Sequence, residues 1–317
     1  MGFQGTGYAI CIPVPLLWCI LWRMKTEGAW YNRVVERSWL DPIEPAHRID
    51  CRHPWPARVD SRLSGGVNCY EPDRELVAEL GDNDALLRCM VRDNTSWNEQ
   101  VAKWSLSEGY RQFMDLGSGY PANDDVYERA EGRLSIFVVY ADIDRSVWAH
   151  LRTSRDTHLG KYAHVHDDIA EADSILALPE VQETLDFTKP VVLILSSVLQ
   201  FLSDDEARAA VAAYTAAVAP GSALVLSHPA DGHPAVQALA EAYHDSGIPF
   251  QPRSHDEVAA FFDGWELCGP SGLCSTPEWR VPGAAKPKSR PRRGRYGVDP
   301  GMTAYAGVAI KPGSMRA

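Results

Sequence analysis

Two acidic residues lie where this chain could bind a nucleotide. One apolar stretch contains Asp115 and runs into Gly117 and Gly119, and a second, Leu134–Ala141, ends in Asp142. Glycines let a backbone approach a ligand closely, and a carboxylate that follows a second strand can accept hydrogen bonds from ribose hydroxyls. A strand, a glycine turn, a helix and a second strand that ends in an acid are typical of a nucleotide-binding βαβ unit.

Two details indicate which nucleotide this unit binds. A dinucleotide fingerprint needs a third glycine, and this chain has Tyr120–Ala122 at that place. Asp115 would repel a pyrophosphate, whereas its carboxylate suits the α-amino group of a methionine moiety. Both details favour S-adenosyl-L-methionine (SAM) over NAD. The alternative is an ordinary β-turn in which Asp115 and Gly117 are turn formers.

The elements that must position these residues alternate along the chain. Strands are predicted at Gln112–Leu116, Leu134–Ala141, Tyr162–His166, Val191–Ser196 and Ala223–Ser227. Helical stretches separate them, among them Asp204–Val218 and Pro234–Asp245. Strands that alternate with helices predict an α/β fold with a parallel sheet covered on both faces.

The end of the chain has a different pattern. Trp265–Cys268 and Ala304–Ile310 are predicted to be two strands with no helix between them, which indicates an antiparallel hairpin at the edge of the sheet. A basic loop at residues 283–300 separates them, with six Lys or Arg residues between Lys286 and Arg295. We expect a solvated, disordered insertion. A docking loop for an acidic partner or nucleic acid is the alternative.

The start of the chain is predicted to form an irregular arm followed by a helical cap. Residues 1–51 are predicted to be irregular, residues 52–105 a helical cap, and residues 106–312 the nucleotide-binding domain. The apolar stretch Tyr8–Trp22 is short and broken by two prolines, and no Lys or Arg precedes Arg23. It therefore matches neither a membrane helix nor a secretory signal. We expect the fold to begin after residue 23, with Met24 as a translation start; a membrane-surface anchor is the alternative.

Composition excludes several classes of protein. The 317 residues are 45% hydrophobic, enough for one sizeable core, and the net charge of −11 argues against general nucleic-acid binding. The seven cysteines form no CxxC pair, so neither a disulfide framework nor a metal site is predicted. A cytoplasmic protein with no membrane partner fits best. The oligomeric state does not follow from the sequence.

Several longer segments carry a family resemblance. They are Gly109–Pro121, Val138–Asp144, Ala219–His228, Phe261–Leu267 and Tyr305–Val308. Through them the chain resembles, over about residues 52–312, the actinobacterial SAM-dependent methyltransferase family that was long known as a domain of unknown function. The resemblance implies a class I, Rossmann-like methyltransferase fold with seven strands, the last two forming the antiparallel hairpin. It also implies SAM as cofactor, and a small-molecule acceptor of specialised metabolism.

The resemblance also implies roles for individual residues in binding the cofactor. Asp115, Gly117, Ser118 and Gly119 match the motif at the methionine end, and Asp142 matches the acid that holds the ribose. The remaining positions concern the adenine ring and the floor of the site. Asp168 would face the adenine amino group, Ile143 and Ile169 would pack on the ring, and Ser196 and Ser197 would line the floor.

Three segments depart from the family pattern. The N-terminal motif R-x-Y-D-Y-L-L-G-G-K-D-N-F keeps Arg58, Leu63, Gly65 and Gly66 but changes its aromatic and lysine positions, and R-x-N-R keeps only Arg92 and Asn94. The motif L-H-F has become Leu199–Phe201, with Gln200 in place of histidine. These segments, with Arg58, Gly66 and Asn94, are implied to line the substrate pocket together with Ser197 at the end of the fourth strand. The departures leave open a regulatory or inactive SAM-binding protein. An NAD(P)-dependent oxidoreductase is disfavoured by Asp115 and the missing glycine.

For methyl transfer the protein must mainly align the acceptor with the methyl group of SAM. The acceptor, the methyl carbon and the sulfur must lie in line, and a hydroxyl acceptor must lose its proton. His228 is the candidate base because it ends the fifth strand, on the rim where ligands bind in such sheets. A structural rim histidine is the alternative. Gln200 is the candidate residue for orienting a polar group of the substrate.

Overall fold

The computed structural model describes residues 49–121, 135–154, 160–283 and 302–313. Its helices are α1 (Pro56–Ser64), α2 (Glu71–Glu79), α3 (Asp84–Ser107), α4 (Arg145–Ser154), α5 (Ala172–Leu176), α6 (Pro179–Thr184), α7 (Asp204–Ala217), α8 (Pro234–Asp245) and α9 (His255–Ala260). Its strands are β1 (Gln112–Leu116), β2 (Phe137–Ala141), β3 (Lys161–Val165), β4 (Val192–Ser196), β5 (Ala223–Pro229), β6 (Glu266–Leu267), β7 (Cys274–Ser275) and β8 (Ala304–Ile310).

The strands form one mostly parallel sheet. Their order is β3-β2-β1-β4-β5-β8-β6, with β7 also paired to β8. Strands β1 to β5 are parallel, and β8 is antiparallel to β5 and β6. The predicted α/β fold, with its parallel sheet and antiparallel end, is confirmed.

Two details of the sheet differ from expectation. Among the described residues there are eight strands rather than seven, because Cys274–Ser275 adds a two-residue strand beside β8. The long strand β8 lies inside the sheet rather than at its edge. It pairs with β5 along seven residues, from Ala304 to Ile310, and its apolar side chains are mostly buried, as a strand with a neighbour on each side requires.

The sequence explains where the main helices begin and end. Pro56 occupies the first turn of α1, and Gly65 ends that helix with φ of 89°, a value that favours glycine. Ser203 caps α7 by accepting from the Glu206 amide, while the Glu206 carboxylate accepts from the Ser203 amide. Helices α1 to α3 make up the segment predicted as a helical cap, and we call them the cap.

Three apolar clusters hold the molecule together. One covers each face of the sheet, and the third joins the cap to α8. No helix in the described ranges is long and apolar enough to cross a bilayer. The arm at residues 1–48 and most of the basic loop, residues 284–301, lie outside the described residues.

Candidate functional site

A cavity of about 630 Å³ lies between the cap and the carboxyl ends of the central parallel strands. Its volume falls in the range of roughly 300–1,000 Å³ that is usual for small-molecule sites. It collects most residues that the sequence singled out: Asp115, Gly117, Ser118, Gly119, Asp142, Ile143, Asp168, Ile169, Ser196, Ser197, Gly66, Asn94 and Gln200. Two others, Arg58 and His228, do not line it.

The glycine turn after β1 is fastened to the end of β2. Gly117 and Gly119 have φ of 73° and 61°, the left-handed region that favours glycine. The amides of Gly117 and Ser118 donate to the Ala141 carbonyl at 2.8 and 3.2 Å. The Gly119 amide donates to Oδ2 of Asp142 at 2.8 Å. Three consecutive amides therefore point toward β2 and not toward a ligand phosphate.

The two glycines have different surroundings. A Cβ at Gly117 would come within 2.2 Å of the Val198 side chain, whereas a Cβ at Gly119 would meet nothing within 4 Å. Gly117 is therefore needed both for its backbone angle and for contact with the segment after β4. Gly119 is needed for its angle alone, and the space beside it is open.

Asp142 is buried, and each of its two carboxylate oxygens accepts a hydrogen bond from a backbone amide. Besides the Gly119 amide, its carboxylate accepts from the amide of Asp144 at 2.7 Å. Burial raises the pKa of Asp142 to about 7, and the neighbouring charge of Asp144 acts in the same direction. Each carboxylate oxygen retains a second lone pair, so Asp142 can still accept hydrogen bonds from a ligand.

Asp168 and Ile169 follow β3 at the same edge of the sheet. Asp168 is buried, and its Oδ1 accepts from the Ala170 amide at 2.9 Å. The hydroxyl of Tyr214, on α7, donates to the Ile169 carbonyl at 3.0 Å. These bonds fix a carboxylate and an apolar side chain together in the cavity wall.

A polar network connects the cap to the ends of β4 and β5. The side-chain amides of Asn94 and Asn98, on α3, donate to Ser196 Oγ at 3.0 and 2.9 Å. Ser196 also lies 3.1 Å from the hydroxyl of Ser227, which donates to Oδ1 of Asn94 at 2.7 Å. The Ser196 hydroxyl is thus fully used by protein groups, and its observed contacts are structural.

Gln200 presents an oxygen without a partner to the site. Its Nε2 donates to the carbonyl of Ser197 at 2.7 Å, which leaves Oε1 buried with no hydrogen-bond partner within the described residues. Ser197 itself has φ of 51°, unusual for a residue other than glycine. Gln200 is only 3% exposed, so its oxygen is a buried acceptor that requires a donor.

Arg58 joins the cap to the sheet. It is 1% exposed and forms a two-bond ion pair with Asp144, from Nε at 2.9 Å and from Nη2 at 2.8 Å. The rings of Trp55 and Tyr70 lie 5.5 and 4.9 Å from its guanidinium carbon. A planar, paired guanidinium of this kind holds α1 against the residues after β2.

His228 is fully buried in the sheet. Its Nδ1 donates to the Pro229 carbonyl at 2.9 Å, and its Nε2 accepts from Nη1 of Arg253 at 2.8 Å. Burial lowers the pKa of His228 to about 3, and the charge of Arg253 acts in the same direction. Both ring nitrogens are used by the protein, so this geometry gives no support to the expected base role.

Arg253 has a structural role next to this histidine. Its guanidinium also donates to the carbonyls of Leu199 and Leu202, both at 2.9 Å. It pairs with Asp204 at 3.0 Å. Arg253 thereby holds the short turn that carries Gln200.

Three residues of the site were missed by sequence reasoning. Asp60, on α1, lines the cavity, and burial raises its pKa to about 7. Asn98 has a buried Oδ1 with no partner among the described residues, and Ser227 completes the polar network. For Asp60 the signal was available, because it lies within the segment Arg58–Gly66 that departs from the family pattern.

Comparison with known proteins gives a consistent result. A model of the S-adenosyl methyltransferase family matches residues 42–312. A DUF574 family protein from Streptomyces avermitilis MA-4680 is 30% identical, with a TM-score of 0.75, over 84% of this chain and 100% of that chain. A putative methyltransferase from Thermobifida fusca YX is 29% identical, with a TM-score of 0.73, over 85% of this chain and 98% of that chain. None of the curated proteins compared with the chain matches it.

Proposed function

Because this chain belongs to the S-adenosyl methyltransferase family, we propose that it transfers the methyl group of SAM to a small-molecule acceptor bound beneath the cap. Its fold is that of a class I methyltransferase, and its cofactor is SAM. The observation that carries the proposal is the cavity, in which the family's cofactor positions and the residues of the cap share one space.

The residues of the cavity fit this cofactor. Ser118 Oγ is buried without a partner among the described residues, next to Asp115 at the end of β1. These two residues would hold the methionine end of the cofactor. The Asp115 carboxylate suits the ammonium group, and the Ser118 hydroxyl can bind either the ammonium or the carboxylate group of that end. The open space beside Gly119 gives the ligand room to lie against the turn.

The rest of the cofactor would lie toward β2 and β3. Asp142 would accept hydrogen bonds from the ribose hydroxyls with its remaining lone pairs. Asp168 would accept from the adenine amino group, and Ile143 and Ile169 would pack on the ring. All four residues line the same cavity.

The glycine turn favours SAM over a dinucleotide. Binding of a pyrophosphate at such a turn relies on backbone amides that face the phosphates. Here the amides of Gly117, Ser118 and Gly119 donate to the end of β2. The turn is arranged to position side chains, and Asp115 adds a negative charge where a phosphate would lie.

SAM supplies a methyl group that is already activated for displacement. The protein contributes alignment of the two reactants in a cavity partly covered by the cap. The shared cavity, and the lack of Lys and Arg among its lining residues in the described ranges, support a small molecule rather than a nucleic acid as acceptor. We place the reaction in the cytoplasm, where free thiols persist.

Cofactor binding tests the proposal directly. Calorimetry should show binding of SAM and S-adenosylhomocysteine (SAH) and none of NAD. Asp115→Asn should weaken SAH binding by at least about tenfold, because a hydrogen bond to a charged group is worth about 1.5–3 kcal/mol. Asp263→Asn is the matched control, since Asp263 is exposed and lies outside the cavity lining.

Turnover separates an enzyme from a binding protein. Tritiated methyl transfer from SAM into a size-fractionated extract should label a small-molecule fraction. SAH binding without any labelled fraction would favour a regulatory protein of the same fold. Tighter binding of NAD than of SAH would contradict the proposal.

A further inference from the structure

The cavity is lined by acids and by no cation in the described ranges. The lining includes Asp60, Asp115, Asp142, Asp144 and Asp168, with no Lys, Arg or His. Asp144 pairs with an arginine, Arg58, which lies behind the wall. A carboxylate or phosphate acceptor would place its charge against this set and is disfavoured.

Part of the cavity is distant in sequence from the cofactor positions. Its apolar wall is Met90, Phe201, Leu239 and Phe250, which belong to one cluster with Val59 and Leu63, on either side of Asp60 in α1. Asp60 and Gln200 line the same cavity, Asp60 between Val59 and Leu63 in the chain and Gln200 beside Phe201. We call Asp60, Met90, Gln200, Phe201, Leu239 and Phe250 the acceptor half of the cavity.

Asp60 and Gln200 each present a hydrogen-bond acceptor to the cavity. One N–H of Gln200 Nε2 donates to the Ser197 carbonyl, and Oε1 is buried without a partner among the described residues. Asp60 lines the cavity and forms no hydrogen bond or ion pair with another side chain in the described residues, and burial raises its pKa to about 7. The cavity thus combines an apolar wall with two hydrogen-bond acceptors that receive no hydrogen bond from another side chain in the described residues. Such a site suits a ligand that has an apolar body and several N–H donors.

We propose, on the basis of the function proposed above, that the methyl acceptor is a small amine with an apolar body and that Asp60 is the catalytic residue that binds its nitrogen. An ammonium group brings three donors and a positive charge. Asp60 supplies the carboxylate, and Gln200 Oε1 accepts one further hydrogen bond.

The proposed transfer step requires only the ammonium group of the acceptor, the Asp60 carboxylate and SAM. The ammonium nitrogen gives one proton to the Asp60 carboxylate and gains a free electron pair. That pair forms the nitrogen–carbon bond as the carbon–sulfur bond breaks, and the electrons of the broken bond pass to sulfur. The products are a methylammonium ion and SAH, and Asp60 then releases its proton to solvent.

Matched ligand sets test the acceptor class. The SAH complex of the full chain is titrated with three sets: phenylethylamine, phenylethanol and phenylpropanoate; tryptamine, tryptophol and indolepropionate; and hexylamine, hexanol and heptanoate. In at least one set the amine should bind about tenfold more tightly than the alcohol, and the acid should bind most weakly, since a hydrogen-bonded charge pair is worth about tenfold or more. The tightest-binding amine should accept a tritiated methyl group from SAM.

Variants assign the preference to Asp60. Asp60→Asn keeps the shape of the side chain and should reduce the amine preference to within about threefold of the alcohol, with the methyl-transfer rate down about a hundredfold or more. Asp60→Glu should restore part of both. Glu75→Gln removes an exposed carboxylate from the cap and should change neither. Melting temperatures and SAH affinities of all variants show that they are folded.

Several outcomes would overturn the inference. They are equal or tighter binding of the alcohol or the acid in every set, no binding by any amine, no methylation of the tightest-binding amine, or an unchanged preference in Asp60→Asn. Failure of the wild-type protein to bind SAH would instead overturn the proposed function. If the wild-type protein binds SAH, the experiments with amines test only the identity of the acceptor and the role of Asp60.

Discussion

Aspartates of one site differ because their neighbours differ. Asp144 faces a guanidinium and is an anchor, whereas Asp142 faces two backbone amides and a like charge. Asp60 faces the cavity without a partner among the described side chains. Burial raises the pKa of both Asp142 and Asp60 to about 7, so the partners of these two aspartates, and not a difference in pKa, distinguish their uses.

Asp142 makes folding stability depend on pH. Its pKa in the folded state is raised to about 7 by burial and by Asp144, with Arg58 opposing the shift. The stability it contributes is therefore full below its unfolded pKa of about 3.9 and is lost as pH rises through about 7. Between pH 5 and pH 8 the wild-type protein should lose about 1–3 kcal/mol more unfolding free energy than Asp142→Asn.

Urea denaturation of the cofactor-free protein at both pH values measures this difference. Asp82→Asn serves as control, because Asp82 is exposed, and its pH dependence should parallel that of the wild type. Parallel curves for wild type and Asp142→Asn would show that Asp142 has an ordinary pKa.

At the scale of elements, the site is made by segments that bind one another. The pair Arg58–Asp144 fastens α1 to the residues after β2, and the bonds from Asn94 and Asn98 to Ser196 fasten α3 to β4. The turn after β1 is fastened to β2 and lies against Val198, which follows β4. Removal of one partner from such buried contacts costs more than removal of a surface contact.

The two turn glycines should respond differently to alanine. Gly119→Ala should cost about 1 kcal/mol of unfolding free energy, from the unfavourable φ alone. Gly117→Ala should cost about 2–4 kcal/mol, because a Cβ there also meets Val198. Adding Val198→Ala should recover part of the loss in Gly117→Ala and none in Gly119→Ala. Equal losses for the two alanine variants would refute the contact with Val198.

At the scale of the whole molecule, the cavity exists only because the cap covers the sheet. Its lining comes from α1 and α3 as well as from the loops that follow the parallel strands. A ligand in this space binds both parts, so its binding free energy stabilises their contact. If the cofactor binds in this cavity, as proposed, its binding and the contact between cap and sheet are therefore linked.

Hydrogen exchange should show this linkage. SAH should slow amide exchange in Pro56–Ser64 of the cap and in the turn at residues 117–119. Exchange in α7, Asp204–Ala217, should change much less, because none of its residues lines the cavity. Protection of the turn without protection of α1 would mean that the cap closes without help from the cofactor.

Much of the fold follows from local patterns. Strand β1 and helix α8 form where the sequence predicts them, and β4 and α7 differ from prediction by one residue. These elements have continuous apolar runs or capped helical spacing, which are properties of neighbouring residues. The antiparallel pairing of β8 with β6 was predicted and is confirmed. The pairing of β8 with β5 was not predicted, since strand order depends on contacts between distant segments.

For single residues, too, some properties follow from the sequence and others depend on the tertiary structure. Asp115, Asp142 and the two glycines could be placed together at one edge of the sheet from sequence, because their positions relative to strand ends fix where they lie, and all four line one cavity. The surroundings of His228 and Asp60 could not, because burial and partners come from segments far away in the chain. Arg253 occupies the ring of His228, and the packing of α1 on α3 and α8 sets Asp60 in the cavity wall. Spacing along the chain determines which residues reach the site, and contacts across the fold determine which of them remain available to a ligand.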